Sequence, residues 1–419
     1  MTWMIYILFF WSFCLLVLWL WKSTLFTKTW QEPYFKETLV LIESDDWGPG
    51  GEVHSYRLKE LLATLNKHRD SIGRPAILTA DIVLSVPDTQ KIKTNKNGQF
   101  FRKSLASFPH IYNIMLDGIN QGTFVPQLHG LEHLNENAFI RLYLENDPRV
   151  QIAMKTEDWW DWEKLDSPLQ GHYVDGSKLP TTPLSKQDAK KIITIANTLF
   201  KQLFGYHSTS TVAPCYLWND DIEQEWKEKD IRYIQTAGYR CIARDKNGNY
   251  IQSPSIIRTG EKNKFGQIYL VRNVMYEPVD GKNTANTAFK EATIAYNQAL
   301  PITISTHRYN YTRSQEEFNQ SLSGLDQLLS LIRQNLPSVR FLASPELGHL
   351  INTPDINFDN PFNQTTWPGT IKLQGLEKTK AFIFRLYYRH PKLVLASYLS
   401  GLIVPLWIFC QIGKKRTHL

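Results

Sequence analysis

Cysteine is scarce in this 419-residue chain, with four in all, so a fold stapled together by disulfides is excluded. There is no glycine-rich phosphate loop, no CxxC pair and no run in which basic and aromatic residues interleave. The usual sequence marks of a P-loop nucleotide site, a paired-cysteine metal or redox site and a nucleic-acid-binding stripe are therefore absent. No internal repeat is visible. Hydrophobic residues make up 42% and charged residues 21%, which excludes a largely disordered or a collagen-like chain. Acid is missing most unevenly. Residues 1–30 hold Lys22 and Lys28 but no Asp or Glu, and from Lys378 onward there are eight basic residues and again no acid. Of the 47 basic residues, 37 remain between those ends, against all 40 acidic ones. The formal charge of +7 thus belongs to the two ends. The middle is close to neutral, and no nucleic-acid partner is implied.

The acid-free ends are also the oily ones. Trp3 to Trp21 is an uncharged run of 19 residues, and Leu393 to Ile412 an uncharged run of 20. Either is long enough to cross a hydrocarbon layer of about 30 Å at about 1.5 Å per residue. The first run ends in bulky Trp19-Leu20-Trp21 with no small-x-small cleavage site, so it reads as a retained anchor. Aromatic and basic residues flank both runs, as they do at a bilayer interface. The expectation is a two-pass protein of a cell or inner membrane, with the lipid bilayer as partner, both termini on one side and 31–384 on the other. The flanking bases are split almost evenly, so the side is left open.

Between the ends, β-rich apolar runs alternate with amphipathic stretches. Expected strands are Thr38–Glu43, Ala76–Val83, Thr123–Leu128, Val150–Met154, Thr211–Cys215, Tyr233–Gln235, Ile268–Met275, Ile302–Ser305 and Val339–Ala343. Expected helices are Tyr56–His68, Ser104–Gln121, Glu136–Asn146, Lys186–Phe204, Asp220–Lys229, Ala285–Ala299 and Ser314–Asn335. In the last, Phe318, Leu322, Leu325, Leu329 and Ile332 recur at helical spacing. Strands alternating with helices of this length indicate an α/β fold with a parallel sheet, here a distorted β/α barrel of about seven strands, with a doubly wound sheet as the alternative. The organisation read from sequence is an anchor at 1–30, a barrel at 31–350 with a surface insertion at 159–188, a linker at 351–384, and a second transmembrane helix with a basic tail at 385–419.

In β/α folds, reacting groups sit just beyond the C-terminal ends of strands. After the first strand comes Glu43-Ser44-Asp45-Asp46-Trp47-Gly48. Two adjacent carboxylates repel unless a cation or proton lies between them, although Asp is also common in plain turns and caps. After the third strand comes His129-Gly130-Leu131-Glu132-His133. On a helix, histidines at i and i+4 share a face and can chelate one metal. One such pair is weak evidence, but a carboxylate at a neighbouring strand end completes a set that leaves positions open for water and substrate. After Ile302–Ser305 comes Thr306-His307, a histidine at the same mouth or a hydrogen-bonded structural one. Trp159, Trp160 and Trp162 could stack on sugar rings or simply pack the insertion. No His-paired motif surrounds Cys215 as it would a nucleophile.

Together these residues resemble the polysaccharide deacetylase family, the NodB-type carbohydrate esterases of the glycoside hydrolase/deacetylase barrel superfamily. Asp45-Asp46 match the family's paired aspartates, His129 and His133 its His-Ser/Thr-x-x-His, and His307 its Leu-x-His, in the same order over residues 37–345. There are departures. Trp47 precedes Gly48, and Gly130 replaces Ser/Thr. Val212-Ala213-Pro214-Cys215-Tyr216 keeps the proline of the Arg-x-Pro-Tyr element but has Val212 for the Arg and Cys215 for the Tyr. The Arg that orients the catalytic aspartate is thus unaccounted for, and Arg240 is a loose candidate. The resemblance implies a metal-dependent hydrolase in which Asp46, His129 and His133 hold a divalent ion, zinc first. It makes Asp45 the base and His307 the acid, and places an oxyanion or substrate contact at a backbone N–H near Cys215–Tyr216. The implied substrate is an acetylated, cell-surface or lipid-linked polysaccharide, with other polysaccharide-assembly membrane proteins as partners. Two readings stay open beside it. One is a metal-free glycosidase pairing Asp45 or Asp46 with Glu132; the other is a non-catalytic glycan-binding scaffold.

Overall fold

The computed structural model describes residues 2–95, 98–155, 162–281, 283–352 and 372–411. A long helix, α1 (Thr2–Gln31), leads into a curled parallel sheet. Its strands are β1 (Thr38–Trp47), β2 (Leu78–Ile82), β3 (Phe124–Leu128), β4 (Ser210–Thr211), β5 (Tyr233–Thr236), β6 (Ile268–Val271), β7 (Val274–Met275) and β8 (Ile302–His307). They are hydrogen-bonded in the order β6–β5–β4–β3–β2–β1–β8–β7, and β9 (Val339–Phe341) pairs with the start of β1.

The two edges of this sheet are one segment of chain. Only Arg272 and Asn273 separate β6 from β7. The Arg272 N–H still donates to Thr236 at the end of β5 (2.9 Å), whereas the Asn273 N–H donates to Thr303 of β8 (3.2 Å). The Asn273 side-chain oxygen in turn accepts from the Thr303 N–H at 2.9 Å. A stretch expected as one strand therefore swaps neighbours midway and joins the sheet's edges.

Alternation along the strands sorts the side chains by face. Val40 and Ile42 of β1, Leu78, Ala80 and Ile82 of β2, and Ile302 and Ile304 of β8 belong to the large apolar layer beneath the helices. That cover comprises α2 (Glu52–Lys67), α3 (Pro109–Asn120), α5 (Lys186–Phe204), α6 (Asp220–Glu228), α7 (Ala285–Asn297) and α8 (Gln315–Asn335); α4 (Glu136–Leu144) packs in a separate apolar cluster, and α9 (Ser344–Asn352) sends Leu347 and Leu350 to the opposite face. The opposite parity runs Leu39, Leu41, Glu43, Asp45 on β1 and Ile268, Leu270, Arg272 at β6. It is apolar at the foot, where Leu39, Leu41, Ile268 and Leu270 share a cluster, and charged at the mouth.

Most helix bounds follow the expected ones to within a turn. The start of α8 shifts by one because Ser314 is its N-cap, in a capping box with Glu317. Two expected strands fail. Val150–Met154 lies in a helical turn, Pro148–Met154, with Asp147 accepting from the Arg149 N–H; proline at N1 after an Asp cap favours a helix start over a short apolar strand. Thr211–Cys215 stops at Thr211, because Pro214 follows and both Cys215 and Tyr216 adopt positive φ (57° and 53°). The insertion is drawn inward, with Trp162, Leu165, Leu169, His172 and Tyr173 all buried.

Among the described residues, α1 is the helix long and apolar enough to cross a membrane. Leu393–Ile412 does not form the single straight span expected. It breaks into α11 (Pro391–Leu399) and α12 (Ile403–Gln411), following α10 (Gly375–Arg389), with the α11–α12 pair bent by 109°. Gly401 lies in the break at φ +72°, a conformation glycine adopts without steric cost. The last turn of α1 is built into the body. Lys28 pairs with Glu261 (2.9 Å), and buried Glu32 accepts from Arg385 (3.0 Å) and Arg389 (2.6 Å) and forms an ion pair with Arg258 (3.2 Å). Arg385 also donates to the carbonyls of Gln298 (2.6 Å) and Pro33 (2.7 Å) and lies over the Tyr34 ring, 3.6 Å from its centre. The proposed linker falls mostly on 353–371, outside the described residues.

Candidate active site

The two aspartates part company through a bulge. β1 stays in register with β8 up to Asp45, opposite His307, but its ladder to β2 slips between Ser44 and Trp47. Asp46 takes the slack at φ 69°, at a cost of about 1–2 kcal/mol for a residue other than glycine. Simple alternation would have sent Asp46 outward to the helices. The bulge turns it back over the mouth instead.

There it meets the two histidines. One potential ligand atom each from Asp46, His129 and His133 lies within 4.8 Å of the others. Asp46 Oδ1 is 3.4 Å from His129 Nε2 and 3.2 Å from His133 Nε2. His129 Nδ1 lies 3.0 Å from the Val212 carbonyl. A carbonyl only accepts, so Nδ1 carries the proton and Nε2 offers its lone pair to the cluster. Burial pushes His133 down to about 4, leaving it a neutral imidazole at pH 7. Two nitrogen donors and one carboxylate, all buried, fit a divalent cation of the zinc type.

The convergence is not helical. The chain between His129 and α4 is a bend, made possible by Gly130 at φ +82°, where an added Cβ would lie 3.0 Å from the His172 ring. That close approach accounts for glycine at this point. His172 holds the bend: its Nε2 accepts from the Leu131 N–H (3.2 Å) and its Nδ1 donates to the Leu134 carbonyl (2.8 Å). Trp162 walls the cluster. Its ring stacks on His133 at 6.0 Å and 12°, its N–H points to Asp46 Oδ1 at 3.4 Å, and the Arg308 guanidinium sits 4.1 Å from its centre. At 1% exposure, Trp162 presents no open platform to a sugar ring. Trp159 and Trp160 lie outside the described residues.

The missing arginine is Arg272. It clamps Asp45 with two hydrogen bonds, of 2.7 and 2.6 Å, and reaches Glu43 (2.7 Å), Asp81 (3.1 Å) and the Tyr216 hydroxyl (3.1 Å). Arg240 is spent elsewhere, on Asp220 (2.7 Å) and Glu223 (3.2 Å). Burial alone would raise Asp45, but Arg272 outweighs it and brings the carboxyl down to about 2. Asp81 goes the other way, held well above the carboxylate range by burial and then by Asp45. One guanidinium does not neutralise three carboxylates.

Across the mouth, His307 Nε2 stands 3.7 Å from Asp45 Oδ2, and its Nδ1 meets Glu277 at 2.6 Å. Glu277 is braced in turn by Asn310. Burial would lower His307, but Glu277 prevails and lifts it to about 10, so it is an imidazolium at neutral pH. Motif reading missed Glu277, because it lies after β7, in the half of a split strand that sequence does not separate.

At Cys215–Tyr216, the Tyr216 N–H is taken by the Ala213 carbonyl (2.9 Å) inside the turn, which leaves the Cys215 N–H as the candidate oxyanion donor of the pair. Burial pushes the Cys215 thiol up to about 12, against a nucleophilic role. Glu132 faces Ser85 (2.6 Å) and Arg102 (2.7 Å). Its carboxylate braces the bend rather than pairing with Asp45 or Asp46.

The model for glycosyl hydrolase family 57 matches residues 176–271, less than half of the chain. No curated protein matches along its sequence. The solved structures it resembles are mainly family 4 carbohydrate esterases and polysaccharide deacetylases. One is the Xyl-CE4 domain of a multidomain xylanase from the hindgut metagenome of Trinervitermes trinervoides, at 11% identity over 78% of this chain and 95% of that one, with a TM-score of 0.36. Another is the peptidoglycan deacetylase PdaC from Bacillus subtilis, at 12% over 75% and 91%, with a TM-score of 0.36. A third is a 4-alpha-glucanotransferase from Thermococcus litoralis, at 9% over 74% and 40%, with a TM-score of 0.37.

Proposed function

We propose that the chain is a membrane-anchored, metal-dependent hydrolase that removes acetyl groups from a glycan. The observation that carries this is the convergence of Asp46, His129 and His133 within 4.8 Å, with an ionised Asp45 on one side and a protonated His307 on the other. Asp46, His129 and His133 would hold the divalent ion, zinc first. When bound, such an ion supplies Lewis-acid polarisation and acidifies a water molecule.

The chain's own groups supply the rest. Asp45, fixed by two hydrogen bonds from Arg272, is an acceptor for the proton of the attacking water. His307, charged and aimed by Glu277, donates a proton to the departing amine or alcohol. The Cys215 N–H is the candidate donor to the developing oxyanion. Two groups of opposite charge, a buried Asp45 and a half-buried His307 set 3.7 Å apart, suit a reaction that takes a proton at one atom and returns it at another. α1 serves as the anchor, with the bent α11–α12 pair as a second membrane-associated segment.

The full-length protein in detergent, given an acetylated oligosaccharide, is expected to release acetate and to stop on exhaustive chelation. Release of reducing sugar without acetate, surviving chelation, would instead establish the glycosidase reading. The partial match to a glycosyl hydrolase model favours that alternative, and the engagement of Glu132 with Arg102 opposes it.

A further inference from the structure

The site and the anchor lie at opposite ends of the sheet. All the paired strands of the curled sheet run parallel, so Asp45, Arg272 and His307 mark one end, and Thr38, Ile268 and Ile302 the other. Among the described residues, the contacts that fasten α1 and the segment after it to the barrel gather toward the second end. The Phe35 N–H donates to Ala299 (2.9 Å), three residues before β8 begins. Arg385 caps the carbonyl of the neighbouring Gln298. Lys28 pairs with Glu261, whose own carbonyl accepts from Tyr269 near the start of β6 (2.9 Å). From Thr38 to Asp45 the strand climbs seven residues, about 23 Å at about 3.3 Å each.

The joint is stiff. Glu32 is buried among three arginines, and Trp30 packs edge-on against Phe382 at 5.2 Å. Swivelling would uncover a buried charge, which is strongly unfavourable. The apolar part of α1 lies beyond a break in the helix at Lys22 (φ −124°, ψ 24°), and α10–α12 brace both sides of that break: Trp11 Nε1 donates to the Ser400 carbonyl at 3.0 Å, and Phe26 packs on Phe382.

Resting on the deacetylase reading, we infer that the mouth is held facing away from the bilayer, a barrel's height above it. The substrate class is then an extended glycan strand that reaches past the headgroups. The first sugars of a short lipid-linked oligosaccharide would lie below the site. This narrows the surface-or-lipid-linked expectation to its first half.

The test uses the full chain in phosphatidylethanolamine–phosphatidylglycerol vesicles carrying an acceptor-labelled lipid. A fluorescent residue is introduced by codon suppression at exposed Asn247, on the mouth side, or at exposed Asn335, at the foot. Energy transfer is expected to be severalfold stronger from Asn335. Equal or reversed transfer overturns the orientation. In the same vesicles, acetate should come from a long acetylated glycan and not from a short acetylated oligosaccharide on a lipid carrier; comparable release from the short one also overturns it. If neither substrate yields acetate, in vesicles or in detergent, the deacetylase reading falls, while the transfer measurement still decides which way the mouth faces.

Discussion

Two buried clusters of arginine and carboxylate close the two ends of the barrel, with opposite imbalance. At the mouth a single guanidinium, Arg272, faces Glu43, Asp45 and Asp81. At the foot a single carboxylate, Glu32, faces Arg258, Arg385 and Arg389. The foot's surplus is answered by neutral acceptors, because a guanidinium needs only oxygens for its N–H groups, and the carbonyls of Gln298, Pro33 and Ala299 supply them. Surplus buried carboxylate has no such remedy; it calls for a proton or a cation. Asp81 takes the proton, and Asp46 is placed to take the cation. The same side-chain chemistry therefore makes a charge-satisfied joint at one end and the proposed reactive centre at the other.

The comparison breaks hardest at the cation site. Replacing Asp46 and His129 by alanine should abolish retention of metal through dialysis, read by elemental analysis. It should lower acetate release by about 10³-fold or more, the several kcal/mol of charge stabilisation that an ion supplies. A variant that keeps both metal and activity would dismiss the cluster as structural.

Next come the two arginine clusters themselves. Arg272→Leu leaves the carboxylates of Glu43 and Asp45 without their countercharge, and Glu32→Gln leaves three guanidinium groups without theirs. Each should cost about 3–5 kcal/mol of stability, the range for breaking a buried pair, measured by denaturant unfolding. The pH dependence separates them. Wild-type Asp45 is depressed to about 2, so its contribution is present above the unfolded carboxylate range and lost as pH falls toward 2. In Arg272→Leu, burial is unopposed and the sign reverses: the loss is greatest at neutral pH and eases on acidification. At the foot the groups left behind are arginines, which stay charged at neutral pH, and His390, which burial and those arginines hold below its ordinary value, so the Glu32→Gln deficit should stay flat from pH 7 to 8 and leave activity per folded molecule unchanged.

A smaller effect is expected at Glu277. His307 is raised to about 10, so its contribution to stability is complete below its ordinary value and disappears as pH rises through 10. Glu277→Gln removes the largest of the charges that raise it, leaving Asp45 and Asp46 against burial, which lowers it. The alkaline limb of the activity profile should move toward neutral, with little change at acid pH. An unmoved limb would assign the proton donor to another group.

Much of this was legible in the sequence for a definite reason. Asp45, Asp46, His129, His133 and His307 stand at or just beyond the C-terminal ends of strands, and apolar runs reveal where strands end. Arg272 was legible in principle as well, since it shares the inward parity of Ile268 and Leu270 in a run already recognised as β. It was missed because it was sought at Val212, where the family pattern puts it, and Arg240 was the nearest substitute. Val212 still serves the site, through its carbonyl on His129, a role no side-chain motif encodes. The bulge at Asp46 and the switch of partners at Arg272–Asn273 were not legible, because both arise from closing a sheet, a long-range constraint that leaves no local mark. The bend in the second apolar run was hidden for a simpler reason. Length and hydropathy measure whether a segment could span, and they do not register a left-handed glycine in its middle.

The finest test concerns what aims Asp46. Two devices act on it, the bulge in its own backbone and the Trp162 N–H at 3.4 Å. Trp162→Phe removes the N–H but keeps an aromatic ring against His133 and Arg308. Loss of an outer hydrogen bond to a ligand typically costs 10- to 100-fold in metal affinity. At this long distance the effect should fall at the lower end, about tenfold, measured by competition with a chelator. Trp162→Ala should do more, since it also opens a cavity worth about 3–5 kcal/mol. If phenylalanine matches tryptophan, the N–H is dispensable and the left-handed backbone at Asp46 alone sets the carboxylate. Replacing Asp46 with another ligand type would then fail on conformation as much as on chemistry, because few side chains other than Asn and Asp accept that φ.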